Sequence, residues 1–428
     1  MNNDLILMAR RAIEALRAGV PNRDTVRQLP VFQGDITQKF TETLWEVRQA
    51  SINDVAPRSM TLSGAFGSGK SHLLEYLRHV AIEHNFVCSH IVISKETPLY
   101  DPLKLVRSAM ESAKISESSG RAVPEILFAG KFDQEHFAEL FKWVCEQPGL
   151  GDRFAPLLKI IDDNPKGGEE FLDEIAWEWS GYPMKVSSIR SALKEIGRQQ
   201  EYRVKTMPQR ELGMHLWRFL PHMFRAAGYS GWVVLIDEVE LMLRYSKLQR
   251  AKSYAQMARL SGMAKDYRIS GLVPVFSVTD DFWATAENEK RDPELPEWLR
   301  ERDRAGDAEI ARDAETGMKL VKRPKALRPV RGEEFSELKE RVRNLHSQAF
   351  SWNAPPIGER ETLSSRSIRE HIKSWIMQWD LMLLYPDYRP EIVVEEVKPD
   401  YSEDVDLTSE ESEIEKGNGD LQPKDIEI

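Results

Sequence analysis

The chain has 428 residues, of which 41% are hydrophobic, so it is long enough for two or three units built around separate cores. Its two cysteines, Cys88 and Cys145, exclude a disulfide framework, and no Cys-x-x-Cys or His-Glu-x-x-His spacing indicates a zinc site. The net charge of -10 arises from residues 391–428, which hold fourteen Asp or Glu against three Lys. The rest of the chain is nearly neutral, which excludes the overall basic character typical of many nucleic-acid-binding proteins.

The N-terminal residues predict a soluble, cytoplasmic protein. Only a short apolar run that begins at Leu5 precedes two arginines, and this run is too short for a signal-peptide core or a membrane span. Apolar residues at helical spacing over 4–18 predict a first helix, and Phe40, Leu44 and Val47 lie on a second. We therefore expect an N-terminal helical segment over residues 1–50.

A pattern of strand, helix and strand follows and predicts a parallel sheet. The run SMTLSG at 59–64 predicts a strand, residues 71–84 a helix, and residues 86–94 a second strand. Two more apolar runs, at 231–243 and 269–283, are typical of strands buried on both faces. The fold class we expect is α/β.

The stretch between these two groups of strands is predicted to be helical. Residues 111–208 form apolar-periodic segments broken by turn-rich sequences, with no comparable strand pattern. We therefore expect one sheet domain in two parts, 51–110 and 209–285, interrupted by a helical insert over 111–208.

The C-terminal third is predicted to be helical after a break. Residues 286–332 are charged and rich in turns, which favours a linker with short helical pieces. Two amphipathic patterns within 333–390 predict a small helical domain. Residues 391–428 are acidic and poorly periodic, and we expect them to be disordered.

One glycine-rich loop matches the pattern G-x-x-x-x-G-K-[ST]. Gly64, Gly69, Lys70 and Ser71 supply it between a predicted strand and a predicted helix. Backbone N–H groups of such a loop converge on phosphate oxygens, its lysine reaches the terminal phosphates, and its hydroxyl ligates Mg²⁺. We therefore predict ATP and Mg²⁺ as cofactors, with nucleotide contacts from Gly64, Ala65, Phe66, Gly67, Ser68, Gly69, Lys70, Ser71 and His72.

Catalysis requires further groups, and two other predicted strand ends offer them. Asp237 and Glu238 close the run VVLIDE, where Asp237 would hold the metal and Glu238 would orient the attacking water. Thr279, or Ser277 as the less favoured choice, would sense the γ-phosphate from a neighbouring strand. The plainer interpretations are a strand running out to solvent and hydroxyls that cap a strand end.

With these three elements in order, the chain resembles the AAA+ ATPases and the related signal-transducing NTPases. The resemblance implies a parallel-sheet P-loop NTPase core with the helical insert and a small C-terminal helical lid domain. It also implies an arginine at the start of a lid helix that reaches back to the nucleotide, the sensor 2 residue. Arg366 is our candidate, because Ser367 and Glu370 are spaced as a capping box, and Arg369 competes with it.

More narrowly, RRAIEALRAGVPNRDTVRQL, VLIDEVELM and the long insert resemble the ATP-binding proteins (BrxD-like) of bacterial BREX anti-phage defence islands. This resemblance implies an ATP-driven motor or switch acting with other defence proteins, with DNA as a candidate partner, and places the turn at 19–23 near the adenine. The alternatives are a nucleotide-gated DNA initiator or loader, and a signalling scaffold with little turnover. Homo-oligomerisation is a further hypothesis, with Arg300, Arg302 and Arg304 as candidate arginine fingers.

Several other features have two interpretations. Trp177, Trp179 and Tyr182 fit packing between insert helices or stacking on a base or peptide. The basic strip 319–331 fits a solvated linker or a contact with phosphodiester oxygens. Cys145 is predicted to be a small core residue of a helix.

Overall fold

The computed structural model describes most of the chain. The described residues are 3–19, 23–51, 58–115, 121–129, 134–147, 152–163, 169–265, 269–357 and 367–385, with Ala56, Phe132, Leu150 and Tyr267. Arg366 and the acidic segment 391–428 lie outside them, so the predictions made for both stay predictions.

The described strands form one five-stranded parallel sheet in the order β2-β3-β4-β1-β5. The strands are β1 (Met60–Ser63), β2 (Val87–Val92), β3 (Trp232–Asp237), β4 (Leu272–Val278) and β5 (Lys325–Ala326). Every residue of β3 and β4 is buried, because helices cover both faces of the sheet. The predicted α/β fold with a parallel sheet is confirmed, and the short edge strand β5 was not predicted.

The register aligns the carboxyl ends of the central strands. Ser63 of β1 pairs with Val278 of β4, and Ile236 of β3 pairs with Phe276 of β4. The loop after β1 and the acids that end β3 therefore meet at one edge of the sheet, with the end of β4 between them.

Seventeen α-helices occur in the described part of the chain. They are α1 (Asn3–Ala18), α2 (Arg23–Gln28), α3 (Gly34–Gln49), α4 (Lys70–Glu83), α5 (Pro102–Ser112), α6 (Ala122–Phe128), α7 (Gln134–Glu146), α8 (Phe154–Asp163), α9 (Glu169–Trp179), α10 (Val186–Glu195), α11 (Gln209–Ala226), α12 (Lys247–Leu260), α13 (Phe282–Asn288), α14 (Leu295–Arg302), α15 (Asp307–Lys322), α16 (Glu333–Phe350) and α17 (Ile368–Leu384).

The insert shares its core with one face of the sheet. Phe154 and Trp179, both fully buried, pack their rings 4.6 and 4.9 Å from Phe219 of α11. The same helix stacks Trp217 on Trp232 of β3 at 4.8 Å. The opposite face is covered by α3 and α4. The insert helices therefore extend the hydrophobic core of the sheet.

The structure differs from the linker predicted over 286–332. Helices α14 and α15 form there, and α15 packs along the almost completely buried helix α12. The apolar face of α15 is hard to recognise in the sequence, because charged residues surround it and several of them pair within the chain. Two buried ion pairs hold this segment to α12: Arg259 pairs with Asp313 of α15 at 3.0 Å, and Arg250 pairs with Asp292, in the 3-10 turn before α14, at 2.8 Å. The charges of this segment thus include structural contacts as well as solvated groups.

The N-terminal helical segment divides between two parts of the molecule. Helix α3 packs on the sheet core, whereas α1 packs against α16 and α17. Arg17 of α1 donates hydrogen bonds of 2.9 Å to both oxygens of Asp380 on α17, and His346 of α16 lies 3.1 Å from the same carboxylate. The C-terminal helices therefore form their core together with the first helix of the chain.

Candidate nucleotide site

The glycine-rich loop lies between β1 and α4, as the sequence predicts. Gly67 and Gly69 have φ values of 75° and 100°, the left-handed region that favours glycine. The buried ammonium group of Lys70 donates to the carbonyl oxygens of Gly64 at 2.7 Å and Ala65 at 3.3 Å. The loop therefore curls around the side chain of its own lysine at the N-terminus of a helix.

Ser71 and Asp237 lie in direct contact. The Ser71 hydroxyl donates a 2.7 Å hydrogen bond to Oδ2 of Asp237, whose Oδ1 accepts from the backbone N–H of Glu238 at 2.9 Å. Asp237 is buried at the end of β3, and the backbone turns sharply after it, because Glu238 has a φ of 57°. Two oxygen-bearing side chains that Mg²⁺ prefers are thus side by side.

Glu238 is exposed on the same edge of the sheet. Partial burial of its carboxyl, together with repulsion from Asp237, raises its pKa, while Arg369 and Lys70 act in the opposite direction. A carboxylate in this position can accept a hydrogen bond from water without being fixed in an internal ion pair.

Glu240 is a site residue that the sequence analysis missed. It lies in the short 3-10 helix Val239–Arg244 after β3, is only 7% exposed, and lines the same cavity. Burial raises its pKa to about 7. The available signal was an acid three positions after Asp237, but exposed acids are common after strands, and only the turn places this one inside.

One cavity joins these groups to an apolar surface. Its polar end includes Lys70, Ser71, Asp237 and Glu240. Its other walls come from α1, the 29–33 segment, the segment after β5, and the helices α16 and α17. The apolar lining comprises Leu16, Leu29, Pro30, Val31, Leu327, Val330, Leu338, Ile368 and Ile372. Phe66, Gly67, Ser68, Gly69 and His72 also line it, as does Gly19, the first residue of the predicted 19–23 turn.

The first turn of α17 contacts the glycine-rich loop. Ser367 and Glu370 form the predicted capping box, which is therefore confirmed. The backbone N–H of Arg369 donates to Gly67 O at 3.1 Å, and its guanidinium carbon lies 5.0 Å from the Phe66 ring centre. Of the two arginines considered for this role, Arg369 is the one whose position the structure describes.

The predicted γ-phosphate sensor lies beside the loop without lining the cavity. Thr279 follows β4 and is 5% exposed, and the neighbouring Val278 O accepts from Gly64 N at 3.3 Å. Ser277 is fully buried within the strand. The end of β4 therefore contacts the start of the loop through the backbone of Val278. Thr279 is not among the residues that line the cavity.

Other residues singled out from the sequence lie elsewhere. Arg300 pairs with Glu315, and Arg302 pairs with Asp307 at 2.8 Å, so these candidate arginine fingers have partners within the chain. In the basic strip 319–331, Lys325 pairs with Asp35 at 2.6 Å and Arg328 with Glu334 at 2.8 Å. Part of the positive charge of the strip is therefore offset.

The aromatic residues and the cysteine of the insert have different surroundings from one another. Trp179 is buried in the core, as packing predicts, but Trp177 is 46% exposed and lies edge-on to Tyr182. Cys145 is exposed on α7, so the expectation of a core cysteine is wrong. It lies one position past the buried Val144, on the outer face of its helix.

Comparison with known protein families finds a match over most of the chain. The family model for the BREX system ATP-binding protein BrxC/D matches residues 7–132 and 195–380, which include the loop, Asp237, Glu238 and most of α17. The chain belongs to the BrxC/D family. Residues 133–194, within the insert, lie outside the match. No curated protein matches this chain in the corresponding search.

Membership of the BrxC/D family confirms the predicted resemblance and assigns this chain a role in BREX defence with ATP as a ligand. None of the described helices combines the length and apolar character needed to cross a membrane.

Proposed function

We propose that this BrxC/D protein is a Mg²⁺-dependent ATPase of the AAA+-like P-loop type, acting as a motor or switch in BREX defence. The observation that carries the proposal is the 2.7 Å contact between Ser71 and Asp237 in a cavity that also holds Lys70. A phosphate-binding lysine and two metal-ligating oxygens in one cavity are the combination that phosphoryl transfer requires.

The loop fits the triphosphate on steric grounds. A Cβ built on Gly64 would lie 2.5 Å from Ser68 Oγ, and one on Gly67 would lie 2.6 Å from Ser367 Oγ. Glycine lets the backbone pass this close to its neighbours, and the helix N-terminus that follows the loop offers N–H groups to phosphate oxygens. The Ser68 hydroxyl, buried and without a hydrogen-bond partner among the described residues, supports the same use.

The apolar end of the cavity fits the adenine base. Aliphatic side chains from the 29–33 segment and from the segment after β5 both line it. The Gln33 amide joins these two walls, because it donates to Arg328 O at 2.8 Å and accepts from Arg328 N at 3.0 Å. The space between these two walls is called the base slot below. We propose that this side-chain clamp holds the walls apart by the thickness of a flat aromatic ring.

Each of these residues would have its own role in ATP hydrolysis. Ser71 and Asp237 would hold Mg²⁺, which when bound offsets the charge of the β- and γ-phosphates. Lys70 would exchange its bonds to Gly64 and Ala65 for phosphate oxygens, and Glu238 would orient the attacking water. Thr279 would report the γ-phosphate through its strand end.

The contact between Arg369 and the loop supports a switch. Because the N–H of Arg369 bonds to Gly67 O, a change in loop conformation on phosphate binding would act directly on α17. Helix α17 shares a core with α1 and α16, so these helices would move together as a lid. Arg369, or Arg366 as the sequence predicts, would sense the γ-phosphate.

ATP hydrolysis by purified wild type, Lys70→Ala and Glu238→Gln protein tests the proposal. We expect Lys70→Ala to lose both ATP binding and turnover, and Glu238→Gln to bind ATP while turnover falls at least about tenfold. Equal turnover in Glu238→Gln and wild type would refute the role of Glu238. Tight ATP binding with negligible wild-type turnover would instead favour the signalling scaffold.

The same assay with DNA added addresses the partner. DNA-stimulated turnover that declines steeply with salt would favour a DNA motor or loader, with the basic strip as the contact. Sizing of the protein at micromolar concentration with ATP tests homo-oligomerisation, and a monomer alone would contradict it.

A further inference from the structure

Glu240 has an oxygen without a hydrogen-bond partner inside the nucleotide cavity. Among the described residues nothing bonds to its Oε2, although the side chain is more than nine-tenths buried. A buried carboxyl oxygen without a partner is unfavourable, because the group loses its hydrogen bonds to water and gains none in return. Such groups in native proteins usually have a functional explanation.

The electrostatic surroundings of Glu240 indicate what can bind it. Asp237 and Glu238 carry like charge and disfavour its ionised form, whereas Lys70 favours it. The carboxyl therefore belongs to the end of the cavity where the lysine and the predicted metal ligands lie. An additional cation, or water polarised by one, would favour its ionised form and satisfy Oε2.

Two other ligands fit less well. Phosphate oxygens are anionic acceptors and would repel an ionised carboxylate. The amino group of adenine could donate to Glu240, but the apolar slot that fits the base lies at the other end of the cavity. Water bound to a cation both donates hydrogen bonds and carries positive potential, and Mg²⁺ in phosphate sites keeps several such waters.

We propose that Glu240 is an outer-sphere ligand, accepting hydrogen bonds from water on the divalent cation that accompanies the nucleotide. This role rests on the proposed function and adds to it a third acid, distinct from Asp237 and Glu238. Outer-shell partners of this kind orient the first-shell ligands, and their loss lowers metal affinity roughly 10- to 100-fold. Glu240 is therefore a positioning residue for the cation.

The test compares ATP affinity with excess Mg²⁺ and with EDTA, using a fluorescent ATP analogue and full-length protein. Wild type, Glu240→Gln and Glu75→Gln are measured side by side. Glu75 is the matched control, because it is also a buried acid, lies on the same helix as Ser71, and pairs with Arg78 outside the cavity. The readout is the ratio of the two affinities, which does not depend on turnover.

We expect Glu240→Gln to reduce the Mg²⁺-dependent gain in affinity about tenfold while leaving the EDTA affinity within about twofold, and Glu75→Gln to leave both unchanged. Mn²⁺ binding followed by EPR in the presence of ATP should weaken by a similar factor. An unchanged gain in Glu240→Gln would overturn the inference. Loss of affinity in EDTA as well would also overturn it, because it would indicate a general packing role.

A second variant protects the test against misfolding. If Glu240→Gln does not give folded protein, Glu240→Asp keeps the charge and withdraws it by one methylene, and we expect an intermediate reduction. An Asp variant identical to wild type in its Mg²⁺ response would overturn the inference. Absence of any Mg²⁺ effect in wild type would instead refute the proposed metal site itself, so the two failures are distinguishable.

Discussion

The hydroxyl of Ser71 and the carboxylate of Asp237 are 2.7 Å apart, although 166 positions separate them in the chain. Ser71 lies in the first turn of α4, after the loop that follows β1, and Asp237 ends β3; β4 lies between these two strands. Contact is possible because the loop after β1 carries Ser71 across the end of β4. The arrangement brings a hydroxyl and a carboxylate together where a divalent cation would need them.

This contact predicts that Ser71 and Asp237 act as a unit. Ser71→Ala and Asp237→Asn should each weaken MgATP binding. The loss of binding free energy in the double variant should be smaller than the sum of the two single losses by about 1 kcal/mol. Asp163→Asn, on the surface of the insert, is the control and should be additive with Ser71→Ala. Calorimetric titration of the four proteins of each cycle measures the coupling, and additivity in both cycles would contradict a shared metal.

The contact of α17 with the loop predicts a role for Arg369. Arg369→Ala should lower turnover at least about tenfold, because the γ-phosphate loses a cationic donor. Lys373→Ala, one turn further along α17 and beside Gly19, should change turnover by less than about threefold. Arg366→Ala measured in the same assay decides between the two arginines. A full loss in Arg366→Ala with no change in Arg369→Ala would assign sensor 2 to Arg366.

Stability should depend on pH through Glu240. Burial raises the pKa of this carboxyl from 4.5 to about 7, so the folded protein holds a proton that the unfolded chain has released. Its contribution to stability is therefore present at low pH and is lost as pH rises through this window. Relative to wild type, Glu240→Gln should gain on the order of 2 kcal/mol of unfolding free energy between about pH 5 and about pH 8.

Urea denaturation of both proteins without metal or nucleotide measures this difference. The unfolding free energy of wild type is subtracted from that of the variant at each pH, and the two differences are compared. Any loss of packing in the variant is the same at both pH values and therefore cancels. A difference that stays constant would show that Glu240 is ionised or protonated equally in both states.

The packing of α15 on α12 predicts a position that tolerates only glycine. A Cβ on Gly317 would lie 1.8 Å from Tyr254 O, a backbone atom that cannot move aside. Gly317→Ala should cost about 3 kcal/mol or more, because the two helices must separate. Gly34→Ala is the control, since a Cβ there meets nothing within 4 Å. Thermal unfolding checks both variants, and an equal Tm for the two would contradict this packing.

The base slot predicts an effect of Gln33 on affinity but not on chemistry. Gln33→Leu removes the clamp between the 29–33 segment and Arg328 and should weaken ATP binding about tenfold, with kcat within about twofold of wild type. Gln38→Leu is the control, because the hydrogen bond described for the Gln38 amide goes to Glu42 on the same helix. A loss of kcat without a change in affinity would place Gln33 in the catalytic machinery instead.

Much of the sheet was predictable because local sequence contains its signals. The apolar runs that became β3 and β4 are uninterrupted, and a strand with both faces covered needs no alternation. The loop pattern from Gly64 to Ser71 and the capping box of Ser367 and Glu370 are equally local, since each depends on neighbours within one turn.

Other features depended on contacts that no local pattern records. The sequence of helix α15 resembles a charged linker, because Asp313 pairs with Arg259, a residue far away in the chain. Burial of Glu240 depends on a turn whose direction is set by the surrounding core, and the exposed Cys145 shows that residue type alone does not fix burial.

The sequence by itself determined the chemistry available to this protein: a phosphate loop, two acids at a strand end, and an amphipathic C-terminal helix. Only the tertiary structure decided that α1 joins α16 and α17, that Arg369 meets Gly67, and that Glu240 turns inward. The physical reason is that helix and strand periodicities state which face of an element is apolar, whereas the partner of that face is chosen by packing across the whole chain.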